Sequence, residues 1–163
     1  MKEILDQYAA FNVWANQRMI DTIFLLSKEE TATAINSSFS SIENTLAHMW
    51  EAESIWWQRI KLSEIIVHPS LAINTREDLA AGLLKQSKQW EEWIVNSTVA
   101  ALEHEFFYRN SKKEQFKQHV YQVLMHLFNH QTYHRGQLVI MFQQLSVQNI
   151  PATDFIEFIR RKK

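Results

Sequence analysis

Only two glycines, Gly82 and Gly136, and two prolines, Pro69 and Pro151, interrupt 163 residues. An all-β chain of this length needs a turn roughly every 8–12 residues, and those turns draw heavily on these two residue types. This chain has almost none of that punctuation, so long uninterrupted helices are the expected architecture.

The apolar spacing agrees. Ile4, Tyr8, Phe11, Ala15, Met19 and Ile23 advance by three or four and predict a first helix over about residues 2 to 26. Ser40, with Glu43 three residues later, predicts a capping box opening a second helix over about 41 to 62. Its apolar side carries Leu46, Met49, Trp56 and Ile60, and His48 sits on the edge of that side. Beyond Pro69, either Asn74 with Glu77 or Thr75 with Asp78 starts a third helix running to about 98, with the seam Leu79, Leu83, Gln86, Trp90 and Ile94. Aromatics on both sides of "RNSKK" in "EFFYRNSKKEQFKQ" predict a short β-hairpin, with an early helix start at Ser111 and Glu114 as the alternative. The fourth helix spans about 118 to 145, with Val123, Leu127, His130, His134, Leu138 and Met141 on one stripe. The fold class expected is therefore all-α: one domain over residues 1–163, built as a four-helix bundle with a hairpin before the last long helix.

Several function classes are excluded by inventory. Lys plus Arg total 17 against 18 Asp plus Glu, so the chain has no electrostatic footprint for nucleic acid or an anionic membrane. Cysteine is absent, which removes disulfides, thiolate ligands and a cysteine nucleophile. The N-terminus carries charges throughout, unlike a secretory signal. Residues 118 to 134 lack Asp, Glu, Lys and Arg, yet contain four His, three Gln and an Asn that lipid would not tolerate. A cytoplasmic protein is expected.

What remains is the histidine series in "HLFNHQTYHRGQ", residues 126 to 137. Neighbours four apart share a helix face, so two imidazoles at that spacing can converge on one cation. Three in series cannot. A rise of about 1.5 Å per residue separates His126 from His134 by roughly 12 Å, against metal bonds of about 2.0–2.1 Å. One adjacent pair, 126/130 or 130/134, can share an ion, and His48 is the best-placed further ligand. The competing possibility is that these are packed helix histidines bonded to their neighbours. "HQTYH" has the spacing of the HExxH zinc peptidases, but Gln131 occupies the position of the catalytic Glu, and an amide is no general base. Thr45, Leu127 and Gln131 stand three before His48, His130 and His134, so no Glu-x-x-His di-iron pattern is present. Three neutral nitrogen ligands would leave coordination positions open, as in catalytic rather than structural zinc.

The segments "YAAFNVWANQRM", "TLAHMWEAESIWWQRI", "HLFNHQTYHRGQL" and "PATDFIEFIRR", in that order, resemble the DinB / YfiT-like family of four-helix bundles over nearly the whole chain. The resemblance implies metal ligands His48, His130 and His134, with zinc or nickel as the occupant. His126, Gln137, Glu51 and Asn44 become residues near the site, Arg135 an ion-pairing residue and Gly136 a close helix contact. It further implies a homodimer and a small-molecule substrate, while the charge balance leaves no nucleic-acid or membrane partner expected. The family includes thiol-dependent S-transferases, so the leading expectation is a metal-dependent transferase that activates a low-molecular-weight thiol as cosubstrate. No side-chain base is evident, and a chain without cysteine must take its thiol from solution. The alternatives are a metal-dependent hydrolase and a non-enzymatic, stress-induced metal-binding protein.

Overall fold

Leu79, Leu83, Gln86, Trp90 and Ile94 are all buried along one helix, as a seam of period 3.6 demands. That helix is one of four long ones in the computed structural model, which describes residues 1–73 and 75–161. They are α1 (Lys2–Ile23), α3 (Ile42–Ile60), α4 (Arg76–Asn96) and α6 (Val120–Gln144). Helix α1 packs on α4, α4 on α3, α3 on α6 and α6 on α1, closing a ring. Shorter elements fill the connections: α2 (Lys28–Ala32), a 3-10 turn (Pro69–Ala72), α5 (Val99–Glu103) and the C-terminal α7 (Phe155–Arg161). Among the described residues no helix is long and apolar enough to cross a membrane.

The hairpin expected before the last long helix is present. Strands β1 (Glu105–Arg109) and β2 (Gln115–His119) pair antiparallel, with Tyr108 opposite Phe116. Its turn contains no glycine. The Asn110 side-chain oxygen accepts from the amides of Lys112 and Glu114, and Lys113 takes a φ of 64°. The Asx bonds hold a left-handed residue that glycine would otherwise supply. The alternative helix start at Ser111 does not occur.

Several boundaries differ from expectation. Helix α1 ends at Ile23, and Ser27 with Glu30 forms a capping box for the unpredicted α2. Ser41 rather than Ser40 caps α3, accepting from the Asn44 amide, while Glu43 accepts instead from the Thr31 hydroxyl and ties α2 to α3. Thr75 caps α4 and pairs with Asp78; Asn74, the other candidate, lies outside the described residues. Helix α6 starts at Val120, with His119 as its cap. Ile4 is 55% exposed and Leu5 takes its place in the core, because the stripe on α1 begins one residue later than the apolar count suggests.

Neither glycine adopts a left-handed conformation. A Cβ on Gly82 would stand 2.5 Å from the Trp50 ring, so this glycine makes room for an indole between α4 and α3. Gly136, expected at a helix contact, is exposed and a Cβ there meets nothing within 4 Å.

Two large hydrophobic clusters fill the bundle, and a small third one joins Phe11 and Ala15 to Phe158. One of the large clusters gathers Met19, Ile23, Leu46, Met49, Leu83, Leu138 and Phe142, and the other Leu5, Ala9, Trp90, Ile94, Val123, Leu127 and Phe128. Between these sets each long helix carries buried polar residues: Asn12 and Asn16, Glu53, Ser87, and Gln131, His134 and Arg135. A polar layer therefore crosses the bundle at mid-height. The histidines lie at that level.

Candidate metal centre

His48 comes from α3, and His130 and His134 from successive turns of α6. The His130 Nε2 lies 3.0 Å from the Nε2 of His48 and 3.0 Å from that of His134. Bonds of about 2.0–2.1 Å at tetrahedral angles would place ligand nitrogens about 3.3–3.4 Å apart. The two His130 pairs are within a few tenths of an ångström of that spacing, and the three rings, with ligand atoms all within 4.8 Å of one another, form a group that could hold a metal ion.

The surroundings set the protonation of the rings. His134 is 4% exposed, and its Nδ1 donates to the Gln137 Oε1 at 2.7 Å, which directs the Nε2 lone pair into the cluster. The Gln137 amide is itself oriented, since its Nε2 donates to the Ser38 hydroxyl at 2.9 Å. Phe39 stacks on His48 with ring centroids 4.2 Å apart and meets His134 edge-on. Burial, followed by the neighbouring His134, His48 and His126, pushes His130 down to about 4. His48 is lowered by burial and by His134, with Glu51 opposing, and His134 by burial, with the Gln137 bond opposing. All three rings are neutral at physiological pH. Three neutral imidazoles presenting Nε2 to one another lack enough protons to satisfy every pair, and a cation resolves the conflict. The donor set fits a divalent metal.

The other residues singled out from the sequence take different positions. His126 is exposed and outside the cluster, its ring 6.0 Å from that of His130 and 5.5 Å from that of Trp56. Glu51, one turn beyond His48, accepts from the Ser70 amide and hydroxyl and meets His68 Nδ1 at 2.9 Å, so it anchors the 3-10 turn. Asn44 donates to Ser40 at the start of α3. His68 and His104 are exposed, and His119 bonds the Glu103 carbonyl.

Two features were missed by sequence reasoning. Gln131, useful there only for excluding a peptidase, donates to the Met49 carbonyl at 2.8 Å and clamps α6 to α3 beside His48. Beneath the cluster lies the second. Glu53 is fully buried, accepting from Asn12 at 2.8 Å and from Ser87 at 2.9 Å. Arg135 is 2% exposed and donates to the side-chain oxygens of Asn12 and Asn16, each at 2.9 Å. The expected ion pair is thus relayed through asparagines rather than direct. Burial raises Glu53 to about 7 and lowers Arg135 to about 10, and each is partly offset by the other's charge. The signal for this network was available: Asn12 and Asn16 stand four apart on a stripe otherwise made of Ala9, Ala15 and Met19.

A family model described as the DinB family matches residues 1–162. Protein DinB of Bacillus subtilis (strain 168) is 28% identical over 159 residues, covering 89% of this chain and 87% of that protein.

Proposed function

Because the chain belongs to the DinB family, we propose that it is a metal-dependent enzyme that joins a low-molecular-weight thiol to a small electrophile, with His48, His130 and His134 as the cation ligands. The convergence of three neutral Nε2 atoms from two helices supports this reading most directly. When bound, a divalent zinc or nickel ion held by three nitrogens keeps open positions and lowers the pKa of a thiol toward neutrality.

The chain's own residues prepare that chemistry. Gln137 and Ser38 fix the tautomer of His134, Phe39 covers one face of His48, and Gln131 holds the two ligand helices at constant register. Burial keeps the rings from taking up protons that would compete with a cation. In the reaction R–SH + R′–X → R–S–R′ + HX, a C–S bond forms as the C–X bond breaks. The thiol proton leaves with X or to solvent. No cysteine competes as an internal nucleophile.

Metal content of the purified protein, compared with His130→Ala, tests the ligand set: near-stoichiometric metal is expected in the wild type and its loss in the variant. Equal metal in both refutes it. Transfer activity is then read with a panel of thiols and a chromogenic haloarene. Ester or amide hydrolysis without any thiol transfer overturns the transferase reading in favour of a hydrolase.

A further inference from the structure

Arg59 is the unusual cation of this molecule. Its guanidinium carbon lies 4.6 Å from the Trp56 ring centroid and 5.4 Å from that of Tyr108. Its Nε is buried without a hydrogen-bond partner, and no carboxylate approaches it within ion-pair distance among the described residues. Arg76 and Arg161 pair with glutamates and Arg135 with asparagines. Arg18 also has an unpartnered Nε and lies 5.2 Å from the Trp14 ring, but its depression is shared with two acids, Asp21 and Glu91. Arg59 instead borders a cleft of about 310 Å³ between the end of α3 and the hairpin, shared with Phe107, Tyr108, Arg109, Gln115 and a single acid, Glu64. The Trp56 and Tyr108 rings flank the guanidinium, and its terminal Nη donors, which meet no acceptor among the described residues, suit a planar carboxylate.

Ring contacts run from the cleft to the histidine cluster: Tyr108 to Trp56, Trp56 to His126 and His126 to His130. Tyr108 separates it from a second cavity of about 240 Å³ lined by Trp56, Gln118, Gln122 and His126. The His126 ring there neighbours both Trp56 and His130. Arg59 stands eleven residues beyond His48, about 16 Å of helix axis, and stacking on Trp56 folds its side chain back toward the cluster. A ligand touching both ends spans on the order of 10–15 Å, the length of an extended small peptide or conjugate rather than a simple mercaptan.

We propose that the Arg59 cleft is an anion-binding subsite that takes a carboxylate of an extended small-molecule substrate whose reacting atom lies at the histidine cluster. The direction in which that substrate points rests on the function proposed above; the anion subsite itself does not need a metal.

The two are separated by titrating three probes, followed by ligand-observed NMR and calorimetry: glutathione, S-methylglutathione with its sulfur blocked, and glutathione diethyl ester with its carboxylates blocked. On chelator-stripped protein, S-methylglutathione and glutathione are expected to bind alike and the diethyl ester at least about tenfold more weakly. Arg59→Gln is expected to weaken the two free acids by about 10- to 100-fold without changing the ester. Arg59→Lys, which keeps the charge but not the fork, should fall between, and circular dichroism reports whether each variant is folded. Carboxylate probes binding Arg59→Gln as tightly as the wild type overturn the subsite, as does equal binding of the ester and the acids. Loading with zinc should then favour glutathione over S-methylglutathione. A preserved acid-over-ester preference without that gain leaves the subsite standing and counts against the thiol reading alone.

Discussion

Replacing Glu53 by Gln should make the protein's stability less sensitive to pH, and the effect has a definite sign. Glu53 is fully buried and titrates at about 7 in the folded protein, against an ordinary value of 4.5. Between those values the folded chain holds a proton that the unfolded chain has released. Stability from this group is therefore fully present below about pH 4.5 and is lost as pH rises through 7. At about 1.4 kcal/mol per unit, the loss between pH 4 and pH 8 is on the order of 3 kcal/mol. The cluster histidines work in the opposite direction. Their folded values are lowered, so the unfolded chain binds more protons below about pH 6.5 and stability falls on acidification. The wild-type profile mixes both, and the variant separates them. Gln has the shape of a protonated Glu53 and can still accept from Asn12 and Ser87. Urea unfolding of chelator-treated protein, followed by circular dichroism at pH 5 and pH 8 and constant ionic strength, gives the comparison. Glu53→Gln is expected to gain about 2–3 kcal/mol relative to wild type between the two pH values. A difference between variant and wild type that stays constant from pH 5 to pH 8 would mean that Arg135 holds Glu53 ionised, and the assignment of burial as the dominant effect would be wrong.

Gln137→Ala removes the acceptor that orients His134 and should weaken metal affinity by about 10- to 100-fold while leaving stoichiometry near that of the wild type, as measured by competition with a chromophoric chelator. Unchanged affinity would show that the ring needs no such support. The two glycines should respond oppositely to alanine: Gly82→Ala drives a methyl into the Trp50 ring and costs about 1–3 kcal/mol, whereas Gly136→Ala adds helix propensity in open space and gains about 0.5–1 kcal/mol. Thermal unfolding of both variants checks the pair, and equal shifts would contradict the packing described for Gly82.

The long helices were legible because each carries an apolar seam of sufficient length; every seam residue expected on α4 is buried. The short helices α2 and α5 were not legible, since five residues give no period and their caps, Ser27 and Thr98, work through local hydrogen bonds. The Ser40–Glu43 spacing pointed to the wrong serine of an adjacent pair, because Glu43 bonds Thr31 on a different helix instead of closing a capping box. Within the histidine series, a four-residue step overshoots one helical turn by about 40°. Two steps carry His126 about 80° away from His134, enough to leave the buried face, and a pattern that counts only intervals of four misses the drift. The Glu53–Arg135 network was hidden for a different reason: each polar residue is visible on its own helix, but the partner it meets is a property of four helices together. The unpaired state of Arg59 is likewise a fact about what does not lie beside it.

The mid-height polar layer also acts as a vernier for the bundle. Sliding α6 along its axis by a single residue, about 1.5 Å, would carry Arg135 away from Asn12 and Asn16 and into the apolar packing on either side, while changing the approach of His130 and His134 to His48 by a similar distance. Helix α1 supplies no residue to the histidine cluster, yet its two asparagines set the offset between the helices that do. Substitutions at Asn12 and Asn16 therefore offer a handle on the spacing of the three histidines from the far side of the bundle.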